Sequence, residues 1–160
     1  MEVREYRKSD TKGVLLLHEE FEREFFKEYG TNPLKHHQKS EFESIHHSYI
    51  QKDRKFWVID YEGEIIGMVG IIIVDENTAE LIRMRVKGEY RGQGLGKKLL
   101  SVVEEYCSTI GKKKIILHTA KRLEIARKMY ESNEFNLYNE QEIQWPFKFT
   151  MMSYYKDLKE

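Results

Sequence analysis

The residues with the most chemistry in them run from Val86 to Lys98: Val86-Lys87-Gly88-Glu89-Tyr90-Arg91-Gly92-Gln93-Gly94-Leu95-Gly96-Lys97-Lys98. Glycines let a backbone approach a ligand closely, and the first N–H groups of a helix have no partner within it. A glycine-rich turn that opens a helix is therefore a site for an anion, with the positive end of the helix dipole behind it. Arg91, Lys97 and Lys98 add charge of the right sign, so a phosphate or pyrophosphate is the expected ligand. Two phosphate motifs do not fit. A Walker A loop needs glycine at 91 and Ser or Thr at 98, where Arg91 and Lys98 stand; a G-x-G-x-x-G fingerprint needs glycine at 97, which is Lys. Other reactive side chains point to duller roles. Cys107 falls on an apolar helical stripe, the place of a buried, inert thiol. His36-His37 and His46-His47 have no acidic or cysteine partner at a metal-ligand spacing, and no metal is expected. Lys112-Lys113-Lys114 reads as a solvated run past a helix end.

The elements that must position this loop can be read from periodicity. Val3 to Arg7 alternates as a strand, and Ser9-Asp10 is a helix-start signal. Val14, Leu17, Phe21 and Phe25 recur at helical spacing over Lys12 to about Tyr29, and Gly30 stops that helix. A second helix over about Leu34 to Gln51 is polar and histidine-rich. Strands follow over Lys55–Asp60, Ile65–Val74 and Ala79–Val86; the middle one is apolar almost throughout, so it is expected at the centre, buried on both faces. The loop then feeds a helix over Leu95–Ile110 with Leu99, Leu100, Val103, Cys107 and Ile110 on one face. A short strand Ile115–His118, a helix from Arg122 to about Ser132, and strands Phe135–Gln141 and Phe149–Leu158 close the chain. The order β-α-α-β-β-β-α-β-α-β-β predicts an α/β (α+β) fold, with helices on the faces of a mixed sheet of six to seven strands. With only two prolines, no repeats and 160 residues, one domain over 1–160 is expected.

Arg91-x-x-Gly94-x-Gly96 resembles the R/Q-x-x-G-x-G/A signature of the GNAT superfamily, the acyl-CoA-dependent N-acetyltransferases. The strand Glu80–Val86 before it and the amphipathic helix after it strengthen the likeness. So does Ala126-Arg127-Lys128-Met129-Tyr130 followed by Phe135, which resembles that family's A-x-x-x-Y helix and its G-F pair. The chain departs from the pattern at Gly88, where Pro is common, at Glu134, where Gly usually precedes Phe, and at Leu123, where many members have Asn.

The resemblance implies a mostly antiparallel GNAT sheet with about four helices, and acetyl-CoA as co-substrate. Its pyrophosphate would lie on the amides of Arg91, Gly92, Gln93, Gly94, Leu95 and Gly96, with Lys97 and Arg127 as further contacts. Its pantetheine arm would pair with the backbone of Met84, Arg85 and Val86 like an added strand. An ammonium must lose a proton before it can attack, which calls for a base or a water relay near neutral pH. Glu80 stands eleven residues before Arg91, the spacing of the base in Gcn5-type enzymes. On a pleated strand it should share a face with Ile82 and Met84; a solvated glutamate at a strand start is the competing reading. Tyr130 resembles the family's tyrosine that donates a proton to the departing thiolate; a tyrosine simply packed on a helix face is the alternative.

The resemblance implies transfer of an acetyl group to a primary amine. The rival reading is a module of the same fold that binds acyl-CoA as a sensor, without turnover, and a nucleotide-binding protein unrelated to CoA is a third. The acceptor pocket should be framed by Thr11–Gln51 and Asn139–Phe149, with Phe25, Phe26, Tyr29, Trp145 and several glutamates. Polyamine, amino sugar, amino acid and protein lysine all stay open as acceptors. Dimerisation through the late strands is implied by resemblance alone.

Composition removes other classes. Eighteen Phe and Tyr argue against disorder, and 27 basic against 27 acidic residues argue against a nucleic-acid binder. The start lacks a secretory apolar region, and Ile65–Val74 falls short of the roughly 20 residues a membrane span needs. A cytoplasmic protein is expected. The zero net charge is a sum of opposites: residues 1–80 carry 11 basic and 17 acidic side chains, and residues 81–160 carry 16 and 10.

Overall fold

A computed structural model describes residues 1–30 and 45–159. Most of the second helix expected over Leu34–Gln51, and the His36-His37 pair with it, lie outside the described residues. The run Glu64–Ile73 forms β3, the buried spine of the sheet. Its glycines admit large neighbours: a Cβ at Gly70 would stand 2.2 Å from the Phe56 ring. Around it lie β1 (Glu2–Glu5), β2 (Arg54–Tyr61), β4 (Thr78–Val86), β5 (Lys114–Ala120), β6 (Asn136–Ile143) and β7 (Phe149–Asp157). These make one seven-stranded sheet in the order β1-β2-β3-β4-β5-β7-β6. Every pair is antiparallel except β4 and β5. The expected fold class is what the chain adopts.

Four helices are present among the described residues: α1 (Thr11–Phe25), α2 (Ile45–Tyr49), α3 (Leu95–Thr109) and α4 (Glu124–Ser132). One face of the sheet buries Val14 and Leu17 of α1 against Phe56, Val58, Ile65 and Met68. The other buries Leu99, Leu100, Val103 and Cys107 of α3, with Tyr130 of α4, against Ile66, Val69, Leu81 and Leu117. Ile110, expected on the same stripe, is exposed, because α3 ends at Thr109 and the chain turns away through Gly111 at φ 80°. Burial pushes the Cys107 thiol up to about 11, so it stays protonated and unreactive. Gly30, at φ 72°, lies just past a 3-10 turn over Lys27–Tyr29 that follows α1.

Asp10 precedes α1 but does not cap it with its side chain. Its carboxylate instead accepts two hydrogen bonds from Arg4, at 2.8 and 2.9 Å, and one from the Arg7 amide at 2.7 Å. Arg4 also donates to Asp60 at 3.0 Å, which ties β1, β2 and the start of α1 together. Burial alone would raise the Asp10 carboxyl; the bonds from Arg4 and the Arg7 amide outweigh it and hold the group below its usual range.

Replacing Asp10 with Asn is expected to cost about 2 kcal/mol near neutral pH, read as a lower urea midpoint at unchanged slope. A carboxyl depressed by folding contributes stability that is present above about pH 4 and lost as pH falls through the folded value. The advantage of wild type over Asp10→Asn should therefore shrink on acidification.

Candidate active site

The decisive local event is a bulge in β4. Met68 pairs with Arg85 but Gly70 pairs with Ile82, so β4 carries one residue more than β3 over this stretch. Arg83 absorbs it at φ 53°, left-handed for a side chain with a Cβ. The extra residue inverts the alternation beyond it. Met84 and Val86 turn to the α3–α4 face, and Arg85 turns to the α1 face, where its guanidinium lies 3.6 Å over the Phe21 ring. Glu80 and Met84 therefore do not share a face as the uninterrupted pleat implied: a bulge moves every later side chain to the other side.

The same strand parts from its parallel neighbour. β4 and β5 pair only through Thr78–Lys114, Ala79–Ile115 and Glu80–Ile116, although both run on, to Val86 and Ala120. Beyond Glu80 the sheet has an opening. Glu80 stands at its apex on the α1 side, its carboxylate 3.6 Å from His118 Nε2 of β5. His118 Nδ1 is 2.7 Å from the hydroxyl of Ser153, its buried cross-strand neighbour on β7. His118 and Ser153 had no role in the sequence reading; the available signal was one polar residue closing the apolar run Ile115–Leu117.

Tyr130 reaches the opening from the other face. Its side chain is buried, its ring edges Phe135 at 5.9 Å, and its hydroxyl lies 3.8 Å from the sulfur of Met84. Burial pushes the phenol up to about 12, with Arg85 a smaller opposing influence, so it keeps its proton far above neutral pH. Carboxylate and phenol thus come from opposite sides of the sheet.

The glycine loop lies at the mouth. Gly88–Tyr90 makes a 3-10 turn, and Gly92 and Gly94 adopt φ 78° and 80°. Gly94 is the residue before α3 and no side chain caps the helix, so the amides of Gly94, Leu95, Gly96 and Lys97 are the groups with no acceptor within it. A Cβ at Gly92 or Gly94 would meet nothing within 4 Å, so the front of the loop is open; one at Gly96 would meet the Met129 sulfur at 2.5 Å, so α4 lies close behind. Leu95 points its side chain into the core, leaving its backbone to the loop. Arg91 donates to the Val86 carbonyl at 3.0 Å and pairs with Glu24 of α1 at 3.0 Å, while Glu20 accepts from the Gly88 amide at 3.2 Å. Such a loop fits a pyrophosphate by donor chemistry and by space. Arg127 of α4 donates to the Tyr154 hydroxyl at 3.1 Å and to the Lys121 carbonyl at 2.8 Å.

On the α1 side the opening leads into a cavity of about 250 Å³. Phe25 and Phe26, expected there, line it; Trp145 is largely solvent-exposed, and Phe147 and Phe149 serve instead. Glu22 and buried His18 line it too, 2.6 Å apart. Among the described residues no group of three His, Cys, Asp or Glu side chains is placed to hold a metal, and no helix is long and apolar enough to cross a membrane.

A seven-stranded sheet opened beside a glycine loop is the architecture of the GNAT acetyltransferases. A crystal structure of a GNAT-family acetyltransferase from Staphylococcus aureus Mu50 superposes with a TM-score of 0.81 at 25% identity, over 99% of both chains. The PaiA N-acetyltransferase of Thermoplasma acidophilum, crystallised with coenzyme A, gives 0.79 at 19% identity over 98% of both. An uncharacterized N-acetyltransferase of Escherichia coli K12, YjgM, is 33% identical over 92 residues, 56% of this chain and 55% of that protein. The chain spans about half the length, or less, of the curated relatives it matches. The sequence profile of the acetyltransferase (GNAT) family matches residues 15–135. The chain belongs to that family.

Tyr130 makes a pH test possible without any ligand. An unfolded tyrosine ionises near 10 and the buried one at about 12, so between these values stability falls as pH rises. Urea midpoints taken from about pH 8 to 11 should decline less steeply in Tyr130→Phe than in wild type.

Proposed function

We propose that this chain is an N-acetyltransferase that moves the acetyl group of acetyl-CoA to a primary amine. The observation that carries the reading is the parting of β4 from β5, with Glu80 and His118 on one side of the opening and the Tyr130 hydroxyl on the other. Acetyl-CoA supplies an acetyl group activated by a thiolate leaving group.

The amides at Gly94, Leu95, Gly96 and Lys97, with Gly92, Gln93 and the cation of Arg91 beside them, hold the anionic end of the co-substrate. The backbone of Met84, Arg85 and Val86, parted from β5, pairs with an extended arm, which takes over from the side-chain hydrogen bonds that Arg85 and Arg91 donate to the Met84 and Val86 carbonyls. Arg127, occupied with Tyr154 and Lys121, contributes by bracing α4 behind the loop. Glu80 accepts the proton that the ammonium loses, directly or through a water, and His118, fixed by Ser153, stands next to it. Tyr130, held protonated at rest by its burial, presents an O–H to the departing sulfur and acts as the acid there. The nitrogen loses two protons on becoming an amide. The first goes to Glu80 and on to solvent. The second is passed on to the thiolate sulfur, where the Tyr130 hydroxyl gives its proton and regains one, so that one proton is released in all.

Tyr130→Phe should lower kcat by about 10²- to 10⁴-fold, measured as free thiol released, with the coenzyme A affinity from calorimetry changed less than about threefold. Glu80→Gln should lose most at neutral pH and recover toward pH 10, about where an amine deprotonates by itself. A wild-type chain that binds acetyl-CoA and acetylates no amine is instead the non-catalytic acyl-CoA sensor of the same fold.

A further inference from the structure

The cavity on the α1 side is built mostly of aromatic rings. Phe25 and Phe26 meet edge to face at 4.8 Å, Phe147 edges Phe26 at 5.0 Å, and Phe149 stacks on Phe147 at 4.9 Å. Phe21 continues the wall, its centroid 5.7 Å from that of Phe25. Two guanidiniums lie against this wall: Arg85 over Phe21 at 3.6 Å and Arg122 over Phe25 at 4.1 Å. Among the described residues that line the cavity, Glu22 is the sole carboxylate, and its side chain is engaged with His18.

Resting on the acetyltransferase reading above, we infer that the acceptor is a small primary amine carried on an aromatic body, with the ring against the phenylalanine wall and the nitrogen at the His118 end of the cavity, toward Glu80. Three features select it. The space of about 250 Å³ lies at the small end of the roughly 300–1,000 Å³ of pockets for drug-sized ligands, a size that suits a single ring. Hydroxyl groups forced against phenylalanine rings would lose hydrogen bonds to water without replacement, which disfavours even a single sugar. A polyamine would lay a second cation along an aromatic wall that carries Arg85, where Glu22, hydrogen-bonded to His18, is the one carboxylate among the described lining residues. An aromatic ring, in contrast, gains edge and face contacts with the phenylalanines and has Arg85 in the lining as a cation–π partner.

The amine could be free or part of an amino acid, and the test separates these sources. Thiol release from acetyl-CoA is measured with 2-phenylethylamine, L-phenylalanine, spermidine and glucosamine. A kcat/KM at least tenfold higher for either aromatic amine than for both others supports the inference, and the ratio of the two aromatic amines tells whether a carboxylate is tolerated. Spermidine or glucosamine within tenfold of the better aromatic amine overturns it. If acetyl-CoA binds and no amine is acetylated, the transferase reading fails and this inference falls with it. Phe147→Ala provides an independent readout: the KM for the preferred aromatic amine should rise about tenfold, while that of its naphthyl analogue falls relative to wild type. An unchanged KM for both overturns the placement of the ring, provided the circular dichroism spectrum shows the variant folded.

Discussion

Two strands of a sheet that begin as neighbours and then separate leave backbone groups without partners, a costly arrangement unless something else satisfies them. Here β4 and β5 share three residue pairs and then diverge, and the rest of the site follows from that separation. The bulge at Arg83 keeps β4 on β3 while its lower half changes direction. It also rotates Arg85 toward α1 and Met84 toward Tyr130, so that the two faces of the opening become chemically different. One carries titratable and aromatic side chains around a cavity; the other carries a buried phenol and the glycine loop. A reaction between two molecules that arrive from opposite sides needs such a passage through the sheet.

The loop and α1 are coupled by two polar contacts. The N–H of Gly88 is what Glu20 accepts, a bond that proline at this position would not make. Glu24 pairs with Arg91 in the same patch. An exposed pair of this kind contributes roughly 0–1 kcal/mol, so it orients Arg91 without locking it away from an anion. The opposed charges of the two halves of the sequence meet here: the glutamates of α1 belong to the acidic half and the loop to the basic one. Screening over roughly 8 Å at physiological salt confines the effect to this neighbourhood.

The departures from the family pattern turn out to be local solutions. Glu134, in the place of a glycine, adopts φ 70°, so the turn before Phe135 keeps a glycine-like backbone with a different side chain. Leu123, in the place of an asparagine, precedes α4 and gives it no side-chain cap. The turn is instead drawn in by the Arg127 guanidinium on the Lys121 carbonyl.

Periodicity and glycine placement were enough to read the element order, the buried β3, the loop that opens α3 and the tyrosine on α4, because each is a property of neighbouring residues. Helix faces and strand runs recur every few positions, and a helix start is marked by the residues at that start. The bulge was not legible: Ile82-Arg83-Met84 alternates as well as any strand, and only pairing with β3 shows the extra residue. Neither was the meeting of Glu80, His118 and Ser153, which lie on three strands and come together through register alone. Nor was the choice of Phe147 and Phe149 over Trp145 as cavity wall, since all three are aromatic and close in sequence. Local sequence determined which elements form and where an anion could sit. The tertiary structure decided which side chains face one another across the opening, because strand register and divergence depend on contacts between segments far apart in the chain.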